Sequence, residues 1–409
     1  MAHREIVVPG KTTQGTRDAR ISGAQLAERL GKLDPKGRII GVVLDGETRE
    51  SLFDARSGQA AVPASTTKIV TSTAALTALD PAARITTKVV RKGDRLVLVG
   101  GGDPTLSSRE RPEDYPGPAS VAELAKKTAD ALKAGGTNGV TVDYDASLYS
   151  GSVLGPGWKP TYVTEGSVAP ISALMVDNGR VAPNPCEGTL PAVQDGPKRA
   201  TQVFVNWLNR YGVQASVGRP GSGEGGRPVA DVQSPTVSAL VEHLMDCSDN
   251  EAAEALARQV ALKKGRPASF DGAARAIRDV LQSLGAAQGV ETQDGSGLSP
   301  LNRITPLGLA KMLSTNVSGD RKALRTVITG MPVAGFSGTL SERFLGTQGA
   351  GVVRAKTGTL NHVATLAGVI QHKSGRLLTF AFMANGAADL NAARSTLDAM
   401  ATAAATCDC

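Results

Sequence analysis

The sequence predicts an α+β protein in which helices flank an antiparallel sheet and one α/β domain is inserted. Apolar, strand-like segments lie at both ends of the 409-residue chain, and helix-like segments lie between them. From about residue 84 a strand hairpin, a helix and a further strand follow in close succession, which is typical of a separate α/β layer. We therefore expect a discontinuous main domain, 1–83 and 233–409, and an inserted domain, 84–232.

The N-terminal part of the main domain should contain two strands and a helix. The segment GRIIGVVLDGETRESLFDARSG (37–58) has two apolar runs around a turn at Asp45-Gly46, which predicts two strands. The run VPASTTKIVTSTAAL (62–76) predicts a helix over 65–79 that ends before Asp80-Pro81.

The predicted inserted domain opens with TTKVVRKGDRLVLVGGGDPTL, a strand hairpin that ends in a glycine-rich loop. VAELAKKTADALKAGG then predicts an amphipathic helix, and VTVDYDASLY predicts a strand. The stretch GRPGSGEGGRP (218–228) is typical of a flexible surface loop.

The second part of the main domain begins with helices and ends with strands. Helical character is predicted for SPTVSALVEHLMDCSDNEAAEALARQVALKKG, then for SFDGAARAIRDVLQSLG and ITPLGLAKMLS. AGVVRAKTG, HVATLAGVIQHK and RLLTFAFMANG predict strands, and the last two should turn at Ser374-Gly375. A terminal helix is expected over about 389–404.

The composition excludes several classes of protein. Lys and Arg outnumber Asp and Glu by 45 to 38, giving a net charge of +7 that suits an anionic neighbourhood such as a cell wall. Aromatic residues make up 3% of the chain and basic residues form no long run, so we expect no nucleic-acid partner. No apolar stretch is long enough for a transmembrane helix, and MAHREIVVPG has no signal-peptide core, so an export signal is expected to be absent from this chain.

The four cysteines are Cys186, Cys247, Cys407 and Cys409. An even count without a metal-ligand spacing predicts two disulfides, an oxidising compartment and no metal site. Because a bridge between Cys407 and Cys409 would be strained, we expect each of them to pair with Cys186 or Cys247, in an order that the sequence leaves open. Four buried free thiols are the alternative.

Three short motifs that carry chemistry occur in fixed order along the chain. They are Ser65-Thr66-Thr67-Lys68, Ser248-Asp249-Asn250 and Lys356-Thr357-Gly358. Each is unremarkable alone, since a serine before a helix is usually a cap and a lysine three residues later is usually solvated. Together and in this order they mark active-site-serine penicillin-binding enzymes.

The first motif supplies a nucleophile and its base. Ser65 and Lys68 are three residues apart on a predicted first helical turn, so their side chains share one face. A serine nucleophile needs a neighbouring base, and lysine serves only when its ammonium form is destabilised. We expect burial and a second cation, Lys356, to lower the pKa of Lys68 from its ordinary value of about 10.4.

The other two motifs supply a proton relay, a carbonyl-binding amide and an anion site. Ser248 and Asn250 lie at a predicted helix start, where the hydroxyl can pass a proton to the leaving amine and the amide can hold a substrate carbonyl. Ser314-Thr315-Asn316 fits the same pattern, but it ends a predicted helix, so we prefer Ser248. Gly358 lets a substrate lie against the strand edge, where Lys356 and the Thr357 and Thr359 hydroxyls would bind a carboxylate. The backbone N–H groups of Ser65 and Thr359 would form an oxyanion hole.

Longer segments resemble one family. PASTTK, CSDNEAAEAL, DGSGLSPLN (294–302), PVAGFSGTLSERF (332–344) and RAKTGTLNHVATLAG (354–368) resemble the D-alanyl-D-alanine carboxypeptidase/endopeptidase family of the DacB or penicillin-binding-protein-4 type, peptidase family S13. VLVGGGDPTL and DASLYSG resemble the extra domain of that family. The gap between Ser65 and Ser248 is shorter than in members with a further nested domain, so we expect one insertion.

The resemblance implies a function. It implies a penicillin-binding (β-lactamase/transpeptidase-like) main domain, and an extracytoplasmic enzyme in which peptidoglycan stem peptides acylate Ser65. D-Alanine is released, the acyl-enzyme is hydrolysed, and D-alanyl–diaminopimelate crosslinks are a further substrate. β-Lactam antibiotics would inhibit the enzyme, and no cofactor is expected.

The resemblance also implies a pocket for the free end of diaminopimelate. Asp145 and Tyr149 of DASLY, with Leu360 or Asn361 after the third motif, would line this pocket. Family members often have an arginine directly after DGSGLS, where this chain has Pro300; Arg303 is the candidate replacement.

Three other functions compete with this interpretation. A class A β-lactamase needs a glutamate in a Glu-x-x-Leu-Asn setting, and the glutamates after Asn250 lack it. A Ser-His-Asp hydrolase needs a nucleophile elbow that this chain lacks. A penicillin-binding-fold sensor or a non-catalytic wall-binding protein is the remaining alternative, although all the catalytic residue types are present.

Overall fold

The structure is a computed structural model that describes residues 21–34, 36–183, 186, 190–318 and 321–409. The prediction about the signal-peptide core falls on residues 1–10, outside the described residues. The α-helices of the described part are α1 (Gly23–Leu33), α2 (Thr67–Ala78), α3 (Val121–Ala134), α4 (Thr161–Thr164), α5 (Gly196–Arg210), α6 (Val237–Cys247), α7 (Asn250–Lys263), α8 (Phe270–Ser283), α9 (Pro306–Val317), α10 (Arg325–Thr329) and α11 (Leu390–Thr406). The strands are β1 (Ile39–Asp45), β2 (Ser51–Ala55), β3 (Arg84–Lys92), β4 (Arg95–Val99), β5 (Gly139–Asp145), β6 (Gln214–Pro220), β7 (Arg227–Thr236), β8 (Val290–Glu291), β9 (Arg303–Ile304), β10 (Val353–Leu360), β11 (Val363–Gln371) and β12 (Leu377–Asn385).

The main sheet joins the two ends of the chain. Its strand order is β10-β11-β12-β1-β2, and every neighbouring pair is antiparallel. β1 lies beside β12, with Ile39 opposite Ala384 and Asp45 opposite Leu378. This arrangement confirms the predicted α+β class and the predicted antiparallel sheet, and it leaves β10 as an edge strand.

Helices cover both faces of this sheet. Alternate residues of β12 point to opposite sides: Phe380 and Phe382 pack with α1 and α11, whereas Ala381 and Met383 pack with α2 and α6–α9. Because successive side chains of a strand point to opposite faces and both faces of β12 are covered, β12 is apolar at consecutive positions. The face that carries α2 and α7 also carries the three motifs.

A second five-stranded sheet has the order β6-β5-β4-β3-β7. β3 pairs antiparallel with β4 and β7, while β4–β5 and β5–β6 are parallel pairs. Helices α3 and α5 pack on this sheet and share its apolar core, which includes Leu124, Phe204 and Val142. Parallel pairing requires a crossover connection, and α3 and α5 provide these connections.

Two details differ from the sequence-based predictions. The loop prediction for 218–228 is wrong at both ends, because β6 extends to Pro220 and β7 begins at Arg227. Helices α1 and α5 were not predicted, although α5 has an Asp195 N-cap and a proline in its first turn. None of the described helices is long and apolar enough to cross a membrane.

Candidate active site

Ser65 lies where the chain enters α2. Residues Ala64–Thr66 form a 3₁₀ turn that leads into the helix, so Ser65 precedes the first α-helical turn on which it was predicted. Ala64 is fully buried and has a φ of 49°, an uncommon left-handed conformation for a residue with a side chain. The Thr67 hydroxyl donates to the Ala64 carbonyl over 2.8 Å and holds this turn, which leaves the Ser65 side chain half-buried at the cleft.

Lys68 is fully buried one helical turn further on. Its Nζ lies 3.2 Å from Ser65 Oγ and donates to Asn250 Oδ1 over 2.6 Å and to the Ser296 carbonyl over 2.7 Å. Burial lowers the pKa of Lys68 to about 8, against the opposing pull of nearby carboxylates. The predicted depression of this pKa is therefore present, and burial is its main cause.

The second motif lies at the junction of two helices. Ser248 ends α6 in the left-handed conformation, with φ 60° and ψ 33°, and Asp249 caps α7 by accepting from Ala252 N over 2.8 Å. Asn250 is the first residue of α7; its Nδ2 donates to the Ser167 carbonyl over 2.8 Å, so its Oδ1 faces Lys68. The half-buried Ser248 hydroxyl makes no side-chain hydrogen bond to any residue of the described part.

The alternative Ser-x-Asn lies elsewhere. Ser314 donates to the Ala310 carbonyl within α9, and the Asn316 amide donates to Thr73 Oγ1 over 2.9 Å. Both residues are fully buried, and neither hydrogen-bonds to Lys68 or Ser65. Of these two motifs, the one at Asn250 is the one that hydrogen-bonds to Lys68.

The third motif lies on the edge strand β10, packed against the Ser65 turn. A Cβ added to Gly358 would come within 2.8 Å of the Pro63 carbonyl oxygen and 3.0 Å of Ser65 N, so only glycine fits there. Lys356 is fully buried; burial and the nearby charge of Lys68 hold its pKa well below its usual range. Lys68 thus disfavours the charged form of Lys356, whereas the charges that act most on Lys68 are carboxylates, which raise its pKa; the expected contribution of Lys356 to the low pKa of Lys68 is not among its main causes.

The edge-strand hydroxyls lie on the other side of β10. Thr357 Oγ1 donates to Thr339 Oγ1 over 3.0 Å, and Thr359 Oγ1 accepts from the Arg394 guanidinium over 3.2 Å. Arg394 belongs to α11 and was not predicted as a site residue.

The predicted specificity residues separate into two groups. Tyr149 and Leu360 meet in one apolar cluster with Trp158, Phe270 and Leu298. This cluster joins the segment after β5 to the end of β10, so it lies at the boundary where the pocket was expected.

The remaining predicted specificity residues make other contacts. The Asp145 carboxylate accepts from Ser147 N and Oγ and from Gly223 N, and so holds turns of the second sheet. Arg303 lies on β9 and donates to the carbonyls of Pro300 and Asn302. Asn361 is exposed in the β10–β11 turn.

The geometry agrees with what comparison with known proteins finds. The family described as the D-Ala-D-Ala carboxypeptidase 3 (S13) family matches residues 23–206 and 187–407. The chain belongs to the S13 family.

Relatives of this S13 chain cover nearly its whole length. It is 37% identical to carboxypeptidase DacB of Mycolicibacterium smegmatis, over 98% of this chain and 88% of that protein. It is 27% identical to the D-alanyl-D-alanine carboxypeptidase of Actinomadura sp., over 90% of this chain and 83% of that protein. Penicillin-binding protein 4 (dacB) from Haemophilus influenzae has the same fold, with a TM-score of 0.76, 22% identity, and coverage of 94% of this chain and 98% of that one. The predicted penicillin-binding fold is confirmed.

The S13 chain also uses two buried acids that were not predicted as site residues. Asp294 accepts from Gly297 N, Ser299 N, Asn302 Nδ2 and Trp158 Nε1. Glu254, which is fully buried and paired with Arg258, accepts from Gly295 N and Ser296 N.

These two acids shape the loop that faces Lys68. Together they accept from four backbone N–H groups of this loop, at positions 295, 296, 297 and 299, and thereby turn the Ser296 carbonyl toward Lys68. The segment DGSGLSPLN resembles the family, but its spacing alone does not reveal which backbone carbonyl contacts the lysine.

The predicted disulfide pairing is wrong. Cys186 pairs with Cys247 and Cys407 pairs with Cys409, at Cα–Cα distances of 4.8 Å and 5.2 Å. The C-terminal pair packs with the α1–α11 face of the main sheet, whereas Cys247 ends α6 among the helices of the other face. The main sheet therefore lies between the cysteines that were expected to join.

Proposed function

We propose that this chain is a serine D,D-peptidase that removes the terminal D-alanine of peptidoglycan stem peptides through an acyl-enzyme on Ser65. The arrangement around the Lys68 amine carries the proposal. A neutral amine has two N–H donors and one lone pair. The acceptors Asn250 Oδ1 and the Ser296 carbonyl use both donors, which leaves the lone pair for the Ser65 hydroxyl at 3.2 Å.

Acylation starts with this lone pair. Lys68 Nζ takes the hydroxyl proton as Ser65 Oγ attacks the carbonyl carbon of the penultimate D-alanine, forming a tetrahedral intermediate. The developing oxyanion accepts hydrogen bonds from Ser65 N and Thr359 N. Gly358 lets the substrate approach this pair, since no side chain separates β10 from the Ser65 turn.

Collapse of the intermediate breaks the amide bond. The proton held on Lys68 passes through the Ser248 hydroxyl to the leaving amine, and D-alanine departs with its carboxylate, which Lys356 and Thr357 help to hold. A water molecule then attacks the ester carbon and gives a proton to Lys68. When the bond from this carbon to Ser65 Oγ breaks, Lys68 returns the proton to Oγ, so the acid product leaves and both residues are restored. Slow hydrolysis of the ester would instead make the protein a penicillin-binding sensor.

We extend the proposal to substrate scope and location. D-Alanyl–diaminopimelate crosslinks also have an amide bond next to a carboxylate, so they can be cleaved in the same way. A β-lactam has a strained ring amide next to a carboxylate, and its opening would leave a stable ester on Ser65. Tyr149 and Leu360 are the best-supported contacts for the diaminopimelate side chain. We propose that 84–232 is an inserted domain, and that the protein works outside the cytoplasm, where peptidoglycan is found.

Intact-mass measurement after incubation with a labelled penicillin tests the proposal. We expect one adduct on the wild-type protein and none on Ser65→Ala, with folding checked by circular dichroism. An adduct that survives Ser65→Ala, or no adduct on the wild type, contradicts the assignment. Release of D-alanine from a diaminopimelate-containing pentapeptide, measured beside cleavage of a crosslinked dimer, separates carboxypeptidase from endopeptidase and both from a sensor.

A further inference from the structure

Arg394 lies beside the strand edge where the substrate is expected. It projects from the first turns of α11, and its guanidinium donates to Thr359 Oγ1 over 3.2 Å and to Asn391 Oδ1 over 3.5 Å. Thr359 is exposed and directly follows Gly358, whereas Arg394 is half-buried. A permanent cation therefore stands next to the third motif, on a helix that sequence motifs do not mark.

No carboxylate in the described part of the chain forms an ion pair with Arg394. The acid nearest to it along α11, Asp398, is bound by Arg343 through Nε–Oδ2 at 3.0 Å and a second contact between the guanidinium and Oδ1. A half-buried guanidinium offers five donors in a planar fork that fits a carboxylate. Its two side-chain contacts leave donors of Arg394 open to a ligand.

The contact with Thr359 also prepares the hydroxyl. Arg394 donates to a lone pair of Thr359 Oγ1, so the hydroxyl hydrogen remains available to donate to an incoming anion. A carboxylate that accepts this hydrogen bond would lie within reach of the guanidinium, and such charge-assisted, forked contacts are stronger than neutral ones.

Lys356 is less suited to hold a carboxylate alone. It is fully buried, and burial together with the neighbouring Lys68 disfavours its charged form and lowers its pKa. A guanidinium keeps its charge at every physiological pH. The strand edge thus has a buried lysine, Lys356, whose charged form is disfavoured, and a guanidinium, Arg394, that stays charged.

We propose that Arg394, with the Thr359 hydroxyl, binds the carboxylate that adjoins the scissile bond of the substrate. This inference rests on the proposed D,D-peptidase function and adds a specificity-determining residue to it. Arg394 selects substrates whose leaving amine carries a free α-carboxylate, which both a terminal D-alanine and a crosslink provide.

The experiment compares Arg394→Gln with wild type on two stem pentapeptides that differ only at the C-terminus, one a free acid and one an amide. We expect KM for the acid to rise at least about tenfold in the variant, the effect of losing one charge-assisted pair, with kcat changed far less. Turnover of the amide should be the same in both proteins. Arg394→Lys should restore part of the affinity for the acid.

Arg354→Gln is the matched control, since Arg354 lies on the same strand and donates to the Thr329 carbonyl over 3.2 Å. It should leave both substrates unaffected. If Arg394→Gln loses activity equally on the acid and the amide peptide, or loses none on the acid peptide, the role of Arg394 is overturned. The proposed peptidase function is not affected by either result. A wild-type protein that cleaves neither peptide and forms no penicillin adduct overturns the proposed function and this inference with it.

Discussion

The two five-stranded sheets of this protein contribute differently to the site. The main sheet is antiparallel throughout and places its edge strand, with Lys356 and Gly358, against the Ser65 turn. The second sheet has parallel pairs and contributes no member of the three motifs. The chain segments between β5 and α5 instead form hydrogen bonds and an ion pair with residues next to the motifs.

Four contacts make this link. Asn178 Nδ2 donates to Asp249 Oδ2 over 2.5 Å, and the Arg180 guanidinium pairs with Glu251 over 2.8 Å. The Ser167 carbonyl orients the Asn250 amide, and Trp158 Nε1 donates to Asp294 over 2.8 Å. The three motifs therefore lie on the main sheet and its helices, whereas the residues around them are bound by segments between β5 and α5.

Gly358→Ala should have the largest effect and tests the role of the main sheet. The added methyl group would meet the Pro63 carbonyl, Ser65 N and Thr365 Oγ1, so β10 must move away from the nucleophile. A displacement of about 1 Å at a reacting centre costs about 100-fold in rate. We expect that loss in the rate of penicillin acylation, measured by mass spectrometry over time. Gly375→Ala, in the exposed β11–β12 turn, should acylate at the wild-type rate; equal losses in both variants would contradict the close-approach argument.

The pH dependence of acylation should be the next largest effect. Lys68 accepts a proton only when neutral, and its pKa is about 8, so the neutral fraction rises with pH until that value is passed. Acylation should therefore rise about tenfold per pH unit below this pKa and level off above it. Acylation rates across this range provide the measurement. A flat profile below the pKa would mean that Lys68 is not the base.

Trp158→Phe tests the contribution of the second region. The ring remains against Phe270, at 5.2 Å between centroids, but the hydrogen bond to Asp294 is lost. We expect the free energy of unfolding to fall by about 1–2 kcal/mol. Acylation should slow by less than about tenfold, since Asp294 keeps its other three donors.

Trp207→Phe is the control for this variant, because Trp207 Nε1 donates over 3.2 Å to the Ser108 carbonyl, a contact that involves none of the site residues. It should acylate as the wild type does. If both tryptophan variants acylate equally, the second region does not orient the site through Asp294.

Asp103→Asn should have the smallest effect on acylation and a clear one on stability. Asp103 is buried beside the second sheet, and burial raises its pKa to about 6 from 3.8. The folded state therefore binds more protons than the unfolded state between these values, and wild-type stability falls as pH rises through that window, by about 3 kcal/mol. Above the folded-state pKa the loss is complete.

Urea unfolding across this pH range measures the effect. Asp103→Asn should make the fall in stability smaller by about 3 kcal/mol, while other buried acids with a raised pKa, such as Glu251, keep their own contribution. Asp94→Asn, at an exposed position in the β3–β4 turn, should show the full wild-type fall. An unchanged fall in Asp103→Asn would assign this contribution to another acid.

Local pattern was enough to predict most of the fold. Apolar runs predicted the strands β1, β11 and β12, and helix-like patterns predicted helical segments where α6 to α9 lie. The loop at 218–228 was predicted from its glycines and prolines, but pairing with neighbouring strands extends β6 and β7 into it. Strand ends depend on a partner, which composition does not show.

The sequence by itself determined the three motifs, their order, the family and the chemistry that they imply, because residue types and short spacings define the motifs. Only the tertiary structure decided what surrounds them. Four contacts join residues far apart in the chain: the Ser296 carbonyl with Lys68, Glu254 with Ser296 N, Cys186 with Cys247, and the guanidinium of Arg394 with Thr359. Such contacts depend on which element ends meet in space, and no local spacing encodes that meeting.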